Sequence, residues 1–343
     1  MVQILSTLAD LDRLPFDQII DVRSPSEYAE DHVPGAINLP ALSDVQRAQV
    51  GTVYVRQDRF LARKMGAAMV ARNAAEHIEG PLRDRDGGWR PLVYCWRGGQ
   101  RSGSFTTILK QIGWRADTVE GGYKSYRRCV AGFLYDTPLA PEVVVIDGGT
   151  GTAKTRLLQH LARQGGQMVD LEALAEHRGS LFGPTGDSQP SQKMFESRLA
   201  DRLRRLDPGR PVFVEAESSK IGDRIIPKML WQAMIAARRI RISAPVTARA
   251  AHLIEAYPDM IEDAGRLDAV LGKLVPYHGH EQVGSWRALA AARAFGDLAA
   301  ELITMHYDPR YTRMSQSRSV ETVELSDLGE ATLSAVARRI LEA

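Results

Sequence analysis

VVVIDGGTGTAKTRLLQHL, residues 143–161, is the stretch that decides the fold of the second half of the chain. It opens with a β-branched run typical of a buried strand, continues through a glycine-rich loop and ends with apolar residues at helical spacing. The loop at 148–155, called the phosphate loop below, fits the pattern G-x-x-x-x-G-K-T except at Ala153, where glycine is usual. The order of strand, loop and helix predicts a phosphate site at the edge of a parallel sheet.

The phosphate loop has the residue types that anion binding requires. Glycines let backbone N–H groups approach phosphate oxygens, and the N-terminus of the following helix adds a favourable dipole. Lys154 is placed to contact a terminal phosphate, and Thr155 is placed to ligate Mg²⁺. Any pyrophosphate group suits this loop, so the pattern does not by itself indicate ATP. The predicted phosphate-binding residues are Gly148, Gly149, Thr150, Gly151, Thr152, Ala153, Lys154 and Thr155.

Acidic side chains follow two later strand-like runs of the same half. Glu215 ends the run that begins at Val212, and Asp170 and Glu172 follow another short run. Acids at strand ends are candidates for a metal or a ligand at the phosphate loop, and we select Asp170 and Glu215. The alternative for Glu215 is a surface acid at the end of a strand. Apart from a weak pattern at His278 and His280, no set of residues has the spacing of a dedicated metal site.

The first half contains a second loop with the composition of an anion site. PLVYCWRGGQRSGS, residues 91–104, predicts a strand, then Cys95 in a loop with two glycines and two arginines, then a helix. Backbone N–H groups, the helix N-terminus and the arginines would stabilise a thiolate, which favours a nucleophile. A buried structural thiol, a phosphatase nucleophile with C-x5-R spacing and a carrier of sulfur or a similar atom all remain open. The residues predicted at this cysteine loop, 95–101, are Cys95, Arg97 and Arg101.

Strand-like runs alternate with helical patterns in both halves, which predicts an α/β fold with parallel sheets and helices on both faces. Pro138 and Pro141 break a helix before the run at 143, so we place one domain at 1–137 and the second at 138–343. The second domain is predicted to be a phosphate-loop α/β domain whose C-terminal part, from about residue 247, is helical. The stretch 179–192, rich in Gly, Pro and Ser, predicts a flexible loop.

Composition sets the broad class of the protein. The chain has 343 residues, 44% of them hydrophobic and 25% charged, which indicates a globular protein of about two domains. No run approaches ~18 consecutive apolar residues, and the N-terminus lacks the pattern of a signal peptide, so we expect a cytoplasmic protein without membrane association. Two cysteines exclude a disulfide framework and favour a reactive thiol in a reducing compartment.

The formal net charge of +2 conceals a basic stretch at 220–249 that holds one acid, Asp223. This stretch is compatible with a polyanionic partner, and the alternative is a solvated helix face. Arg249 is its last cation. The candidate polyanion contacts are Lys220, Arg224, Lys228, Arg238, Arg239 and Arg241.

Several separated motifs in the first half carry a family resemblance. IIDVRSPSEYAEDHVPGAINLP at 19–40 and VEGGYKSY at 119–126, with Cys95 in its loop between them, resemble the rhodanese domain over about the first 135 residues. The resemblance favours a cysteine that carries a chalcogen as a persulfide-type adduct. Arg101 lies six residues after Cys95, where five is usual in rhodaneses, which indicates a wider loop for a larger anion or atom.

The second half adds phrases of its own: VDLEALAEHRGSLFG at 169–183, PSQKMFESRL at 190–199, VFVEAESSKIG at 212–222 and MHYDPRY at 305–311. With the rhodanese-like half, these resemble the tRNA 2-selenouridine synthase family across essentially the whole chain. Two positions depart from the family pattern, namely Ala153 and Ser219, where we would expect glycine and arginine.

The resemblance implies an enzyme that replaces the C2 sulfur of a wobble 2-thiouridine in tRNA by selenium from selenophosphate. The implied route passes through an S-geranyl intermediate made from geranyl pyrophosphate. Cys95 would bear selenium, Arg97 and Arg101 would hold selenophosphate, and the phosphate loop would hold pyrophosphate with Mg²⁺. The basic stretch would contact tRNA phosphates, and a selenophosphate-supplying enzyme would be a partner.

Two other functions are compatible with the same residues. One is a rhodanese-type sulfurtransferase or phosphatase fused to an ATP-dependent kinase-like module, and the other is a non-catalytic tRNA-binding or regulatory protein with two anion sites.

Cys129 is interpreted as a small buried residue rather than a resolving thiol. His278 and His280 form a weak metal pattern, His32 is predicted to be structural, and Trp96 either packs or stacks on a base.

Overall fold

The computed structural model describes residues 2–179, 183, 188–315 and 321–343. It divides the chain into two compact units, Met1–Pro138 with Pro190–Arg205, and Leu139–Gln189 with Leu206–Ala343. Each unit contains a five-stranded parallel sheet, so the predicted α/β class is confirmed. The predicted flexible loop at 179–192 lies largely outside the described residues.

The first unit is built on a parallel sheet whose core includes Ile20, Val93 and Phe105. Its strands are β1 (Val2–Gln3), β2 (Gln18–Asp21), β3 (Ile37–Asn38), β4 (Pro91–Tyr94) and β5 (Asp117–Val119). Its helices are α1 (Asp10–Arg13), α2 (Pro25–Glu30), α3 (Asp44–Arg56), α4 (Arg59–Glu79), α5 (Gln100–Ile112) and α6 (Tyr123–Ala131), which continues as a π-helix at Gly132–Asp136. The strand order β1-β5-β4-β2-β3 places β4, which leads to Cys95, at the centre of the sheet.

The second unit repeats this architecture around the strand that precedes the phosphate loop. Its strands are β6 (Val143–Asp147), β7 (Gln167–Val169), β8 (Val212–Glu215), β9 (Lys220–Ile221), β10 (Arg224–Ile225), β11 (Arg238–Ser243) and β12 (Glu321–Glu324). The sheet order is β12-β11-β6-β8-β7, and β9 and β10 form a separate antiparallel pair. Strands β6 and β8 are buried at every position, as parallel strands covered on both faces require, whereas β11 alternates buried Ile240 and Ile242 with arginines that are half-buried or exposed.

The second half of the sequence contains the remaining helices, all of which except α9 belong to the second unit. They are α7 (Lys154–Arg163), α8 (Leu171–Ala175), α9 (Gln192–Leu203), α10 (Lys228–Ala236), α11 (Val246–Ala256), α12 (Pro258–Glu262), α13 (Ala264–Gly272), α14 (Val275–Ala291), α15 (Phe295–Glu301), α16 (Asp308–Ser315) and α17 (Glu330–Glu342), with a π-helix at Leu302–Tyr307. The segment from α12 to α15 has its own apolar core around the buried Trp286, so the predicted helical C-terminal part is present.

Helix α9 belongs to the first unit, although it lies within the second half of the sequence. Phe195 is fully buried, and Glu196 accepts hydrogen bonds from Arg127 on α6 and from the Tyr135 hydroxyl, the latter at 2.8 Å. The predicted boundary between residues 137 and 138 assigns α9 to the second domain. The sequence of α9 shows an apolar face, but it does not show which unit that face packs against.

Among the described residues, we find no helix with the length and apolarity that a membrane crossing needs.

Candidate functional site

The cysteine loop joins the central strand of the first unit to a helix. Strand β4 ends at Tyr94, Cys95 follows, and α5 begins at Gln100 after Gly99, whose φ of 73° is left-handed. Cys95 is buried, and the Ser102 hydroxyl on the first turn of α5 donates to its sulfur at 3.3 Å. The sulfur therefore lies at the base of the loop, near a helix N-terminus that favours negative charge.

The N-terminus of α6 holds the cysteine loop from the other side. The backbone N–H of Tyr123 donates to the Cys95 carbonyl at 2.8 Å, and that of Lys124 donates to the Trp96 carbonyl at 3.1 Å. A Cβ atom at Gly122 would lie 2.2 Å from the Cys95 carbonyl oxygen, so only glycine permits this approach. This contact explains the Gly-Gly pair of the motif at 119–126.

The two arginines of the cysteine loop have different surroundings. Arg97 is exposed, whereas Arg101 is part-buried and donates to Glu27 at 2.7 and 3.3 Å. Burial acts to raise the pKa of Glu27, but the hydrogen bond and charge of Arg101, the Ser24 backbone and Arg47 hold that pKa below its ordinary value. Arg101 is therefore neutralised by an ionised carboxylate, and Arg97 is the cation of the loop that faces solvent.

A buried charge network supports the cysteine loop from below, and sequence reasoning assigned it no role. The Arg23 guanidinium, 1% exposed, donates to Asp21 at 2.6 Å and to the Asp31 carbonyl at 2.5 Å, and lies 3.9 Å from the Tyr123 ring centroid. The Tyr123 hydroxyl donates to Asp31 at 2.7 Å, and burial raises the pKa of both groups. The motif Asp-Val-Arg at 21–23 was the available signal, but it does not reveal that Tyr123, far along the chain, completes the network.

In the second unit, the phosphate loop runs from β6 to α7, as predicted. Ala153 is the residue before α7 and adopts a left-handed conformation with φ of 57° and ψ of 33°. The methyl group is buried, and the backbone carries the strain that glycine would avoid. Lys154 donates to the Gly148 carbonyl at 2.8 Å, and the Thr152 hydroxyl donates to the Gly149 carbonyl at 2.8 Å, so both side chains close the loop on itself.

Arg249, the last cation of the basic stretch, does not face solvent as part of a basic surface. It contacts the phosphate loop instead. This side chain is buried, donates to the Thr150 carbonyl at 2.9 Å and forms a bidentate pair with Asp308 at 2.9 and 2.7 Å. A Cβ atom at Gly149 would lie 2.8 Å from the Arg249 guanidinium, and one at Gly151 would lie 2.9 Å from its carbonyl oxygen. Two of the loop glycines are therefore needed to admit Arg249.

Acidic groups face the phosphate loop from β8 and α8. Glu215 is 1% exposed, accepts the Glu172 backbone N–H at 2.9 Å, and its second oxygen has no hydrogen-bond partner among the described residues. Burial and the charges of Asp170 and Glu172 raise the pKa of Glu215 well above its ordinary value. Burial and the Glu217 charge raise the pKa of Glu172 to about 8. Burial also raises the pKa of Glu217, which sequence reasoning did not select.

The predicted acids thus differ in what they can do. Glu215 lies in the cavity of the phosphate loop, together with Glu172 and Glu217. Asp170 uses its carboxylate to cap α8, accepting the Ala173 N–H at 2.8 Å. The available signal was an acidic residue after a strand, but only the fold shows that the Asp170 carboxylate caps a helix whereas that of Glu215 lies in the cavity.

The residues around Glu215 fit Mg²⁺. A buried carboxylate oxygen without a partner and three carboxyls with raised pKa values indicate a place where a cation would be stabilised. Mg²⁺ is usually held by one or two carboxylates together with substrate phosphates and water. No group of three or more His, Cys, Asp or Glu in the described ranges is arranged to hold a metal by itself, so ligand phosphates would complete the site.

Two cavities of different character meet at the phosphate loop. A polar cavity of about 650 Å³ is lined by the loop, the acidic residues and Arg178. A smaller cavity of about 80 Å³ is lined almost wholly by apolar side chains of the helical C-terminal part. Both include Thr150, Leu253 and Tyr257 in their walls, so they adjoin. The apolar cavity also includes Ile254, Met260, Ile261, Leu267, Phe295, Leu298 and Leu302.

The structure divides the basic stretch into two groups. Lys220, Lys228 and Arg238 are exposed, and Arg224 is half-buried. Arg239 and Arg241 point instead towards Asp147 at the end of β6, with nitrogen-to-oxygen distances of 3.7 and 3.9 Å. The register explains this, because Arg241 lies opposite Asp147 and Arg239 lies two residues earlier on the same face of β11. These two arginines therefore do not extend the exposed basic surface.

Among the residues that we did not select, Cys129 is buried, its thiol contacts the Leu5 carbonyl at 3.6 Å, and burial raises its pKa. It has the surroundings of a small buried residue. His278 contacts His306 at 2.9 Å, whereas the chain breaks from helical geometry at Gly279 and His280 is exposed. His32 stacks on Tyr28 with ring centroids 3.7 Å apart, which is a packing role.

Comparison with known proteins assigns both halves to families. Residues 5–129 match the rhodanese-like domain, and residues 141–270 match the family described as the tRNA 2-selenouridine synthase AAA domain. The first range contains the cysteine loop and the second contains the phosphate loop.

Three curated relatives, each named tRNA 2-selenouridine synthase, align with the chain. The protein from Cupriavidus pinatubonensis is 31% identical over 92% of this chain and 93% of its own length. The protein from Verminephrobacter eiseniae is 34% identical over 90% of this chain and 92% of its own length. The protein from Nitrosomonas europaea is 35% identical over 70% of this chain, and the match spans 63% of that relative.

Proposed function

The chain belongs to the tRNA 2-selenouridine synthase family, and on that premise we propose that it exchanges the C2 sulfur of a wobble 2-thiouridine in tRNA for selenium. We assign two steps to the two loops. The phosphate loop binds geranyl pyrophosphate for S-geranylation, and the cysteine loop handles selenophosphate for the exchange.

The observation that carries this assignment is the apolar cavity beside the phosphate loop. A nucleotide presents a polar base and ribose, whereas an isoprenoid diphosphate presents a hydrocarbon chain next to its phosphates. The pair of adjoining cavities, one polar and one lined by Leu253, Met260 and Phe295, has this same division. The apolar cavity of about 80 Å³ admits part of the chain, and the remainder would lie towards the polar cavity.

In the first step, the thiocarbonyl sulfur forms a bond to C1 of the geranyl group while the bond from C1 to the diphosphate oxygen breaks. The electron pair leaves with pyrophosphate, and the base releases its N3 proton to solvent, which restores charge balance on the alkylated ring. Lys154, the N–H groups of the phosphate loop and the N-terminus of α7 would stabilise the developing negative charge. Mg²⁺ held at Thr155 and Glu215 would neutralise further charge on the pyrophosphate.

In the second step, alkylated sulfur is a better leaving group than the thiocarbonyl. Selenium delivered from selenophosphate as selenide forms the bond to C2, geranylthiol departs, and water takes the phosphoryl group as phosphate. The exchange is redox-neutral. Cys95, with Ser102 at its sulfur and Arg97 at the rim of the loop, is the residue that we assign to selenium handling.

Nucleoside mass spectrometry tests the proposal. Protein, thiolated tRNA, geranyl pyrophosphate and selenophosphate are incubated, and the digested tRNA is analysed for S-geranyl-2-thiouridine and 2-selenouridine. Cys95→Ala should abolish 2-selenouridine and leave the geranylated nucleoside, whereas Lys154→Ala should lower geranylation by about a hundredfold or more. Absence of both nucleosides with the unaltered protein would refute the proposal, and turnover of ATP with thiosulfate or an aryl phosphate would favour the sulfurtransferase or phosphatase alternative.

A second experiment tests the ligand of the apolar cavity. Phe295→Ala removes an apolar side chain from the wall of the apolar cavity. The variant should bind geranyl pyrophosphate about tenfold more weakly and should bind inorganic pyrophosphate as the unaltered protein does. Phe60→Ala makes the same change at a side chain that is 73% exposed in the other unit, and it serves as the control. Equal binding of geranyl pyrophosphate by the two variants would contradict the assignment of the cavity.

A further inference from the structure

A basic cleft of about 500 Å³ adjoins the cysteine loop in the first unit. Its volume lies within the range of roughly 300–1,000 Å³ that is typical of ligand pockets. Five cationic side chains and two aromatic rings contribute to its wall, and no carboxylate does so among the described residues. The cations are Arg97, Lys124, Arg127, Arg128 and Lys193.

Two of these cations are neutralised by acids behind the cleft. Arg127 pairs with the buried Glu196, and Lys193 pairs with Glu30 at 2.6 Å. Arg97, Lys124 and Arg128 are exposed and form no ion pair in the part of the chain that the structure describes. The cleft therefore presents about three uncompensated positive charges, which is more than a single small anion requires.

The aromatic part of the cleft is built as a fixed platform. Trp96 is half-buried and stacks on Tyr123, with centroids 5.2 Å apart and an interplanar angle of 28°. Tyr123 is fixed in turn by the Arg23 guanidinium on its ring and by its hydroxyl bond to Asp31. Trp96 and Tyr123 both line the cleft. Such a ring can stack on a nucleobase of any sequence.

The cleft is joined rigidly to the cysteine loop. Trp96 and Arg97 follow Cys95 directly, and the two backbone hydrogen bonds from Tyr123 and Lys124 connect the start of α6 to the same loop. The wall of the cleft therefore includes the two residues that directly follow Cys95, which we assign to selenium handling.

We propose that this basic cleft binds an unpaired RNA nucleotide and its flanking phosphates, and so presents the base to the cysteine loop. The inference rests on the proposed function, whose acceptor it locates. The base would stack on Trp96, and the phosphates would contact Arg97, Lys124 and Arg128. Cations alone would suit any polyanion, and an aromatic platform alone would suit many rings, but unpaired RNA combines the two chemistries. The cleft, rather than the basic stretch at 220–249, then makes the contact nearest to the chemistry.

Binding of an anticodon stem-loop RNA with a 2-thiouridine in the loop tests the cleft, using the full chain. The double variant Lys124→Ala/Arg128→Ala should lower affinity by ten- to a hundredfold and reduce the slope of log affinity against log salt by about 1.4 for single-stranded contacts. The control is Arg63→Ala/Lys64→Ala, which removes the same charge from an exposed part of α4 in the same unit and should bind as the unaltered protein does.

The platform is tested separately from the charge. Trp96→Leu should weaken RNA binding about tenfold with an unchanged salt slope, and Trp96→Phe should restore most of the affinity, because a phenyl ring still stacks. A Leu variant that binds as tightly as the Phe variant would overturn the stacking role. A merely structural role of Trp96 would change the unfolding midpoint of both variants without this separation.

Selenouridine formation by the same variants distinguishes the cleft from the proposed function. If the unaltered protein forms 2-selenouridine and Lys124→Ala/Arg128→Ala binds and converts RNA equally well, the cleft inference is wrong and the proposed function stands. If no 2-selenouridine forms but RNA affinity falls as expected in the cleft variants, the proposed function fails and the RNA site stands. Loss of affinity in Lys220→Ala/Lys228→Ala alone would move the RNA site to the basic stretch and overturn the inference.

Discussion

The cysteine loop and the phosphate loop have the same backbone plan but are held by different residues. Each follows a central parallel strand and opens a helix, and in each the residue before the helix has a left-handed backbone, Gly99 with φ of 73° and Ala153 with φ of 57°. Each loop is also held by a segment distant in sequence. Gly122 and Tyr123 contact the cysteine loop, and Arg249 contacts the phosphate loop. Loop glycines alone do not shape an anion site, because a second element must fix the direction of the backbone.

The two loops differ in the balance of charge around them, with acids more numerous at the phosphate loop. Arg97 and the basic cleft surround the cysteine loop, whereas Glu172, Glu215 and Glu217 share the cavity of the phosphate loop with Lys154. The cysteine loop can accept an anion directly. The phosphate loop places acids near a phosphate site, and these acids are stabilised only if they are protonated or if a cation enters with the ligand. The predictions below alter one loop and use the other as the reference.

Gly122→Ala should have the largest effect on stability. Its Cβ atom would lie 2.2 Å from the Cys95 carbonyl oxygen and 3.0 Å from the carbonyl carbon, and the backbone φ of 57° adds strain. We expect a loss of about 3 kcal/mol or more in the free energy of unfolding, measured by urea denaturation, together with loss of 2-selenouridine formation.

Gly35→Ala is the control for that variant. Its φ of 83° imposes backbone strain, but no atom lies within 4 Å of the added Cβ, so only up to about 1 kcal/mol should be lost once the lower chain entropy of alanine is counted. Equal losses in the two variants would show that the contact between α6 and Cys95 contributes nothing beyond glycine conformation.

Glu172→Gln should have an intermediate effect that depends on pH. The pKa of Glu172 is raised from 4.5 to about 8, so the folded protein disfavours the ionised form. Stability associated with this group is fully present below about pH 4.5 and is lost as pH rises towards 8. In the presence of a chelator, Glu172→Gln should become more stable than the unaltered protein over this window by about 2 kcal/mol, since one pKa unit is ~1.4 kcal/mol and the acids share the shift.

Urea denaturation at pH 5 and pH 8 measures this difference. Glu281→Gln, at an exposed position of the helical C-terminal part, should show no change in stability relative to the unaltered protein between the two pH values. If Glu172→Gln shows no gain in stability over the unaltered protein at pH 8, the acids of the phosphate loop are not under mutual repulsion, and the contrast with the cysteine loop fails.

The sequence predicts both loops and both sheets because local patterns determine them. The β-branched run at 143–146, the glycines of the two loops and the helices that follow are all contiguous signals, and the strands and helices form as expected. The motif at 119–126 was identified by resemblance, but its purpose, the close approach to Cys95, is a contact between separate segments.

The charge pairs around the two loops could not be predicted from the sequence, because the paired residues lie far apart along the chain. The pairing of Arg101 with Glu27 spans 74 positions, and the turn of Arg239 and Arg241 towards Asp147 follows from the register of β11 against β6. A charge run in sequence does not tell which of its members face solvent. The basic cleft was missed for the same reason, because its cations come from the cysteine loop, α6 and α9.

Ala153→Gly and Gly99→Ala are the smallest and most direct test of the comparison, because they exchange the residue type at equivalent positions of the two loops. Left-handed backbone costs a non-glycine residue about 1–2 kcal/mol, and glycine loses about 0.5–1 kcal/mol more in chain entropy on folding. Ala153→Gly should therefore raise the free energy of unfolding by up to about 1 kcal/mol, and Gly99→Ala should lower it by a similar amount, since no atom lies within 4 Å of the added Cβ. A shift of the denaturation midpoint in the same direction for both variants would contradict a shared conformation before the two helices. Opposite shifts of similar size would show that the phosphate loop retains its shape at Ala153 through Arg249 and its neighbours, despite the strain.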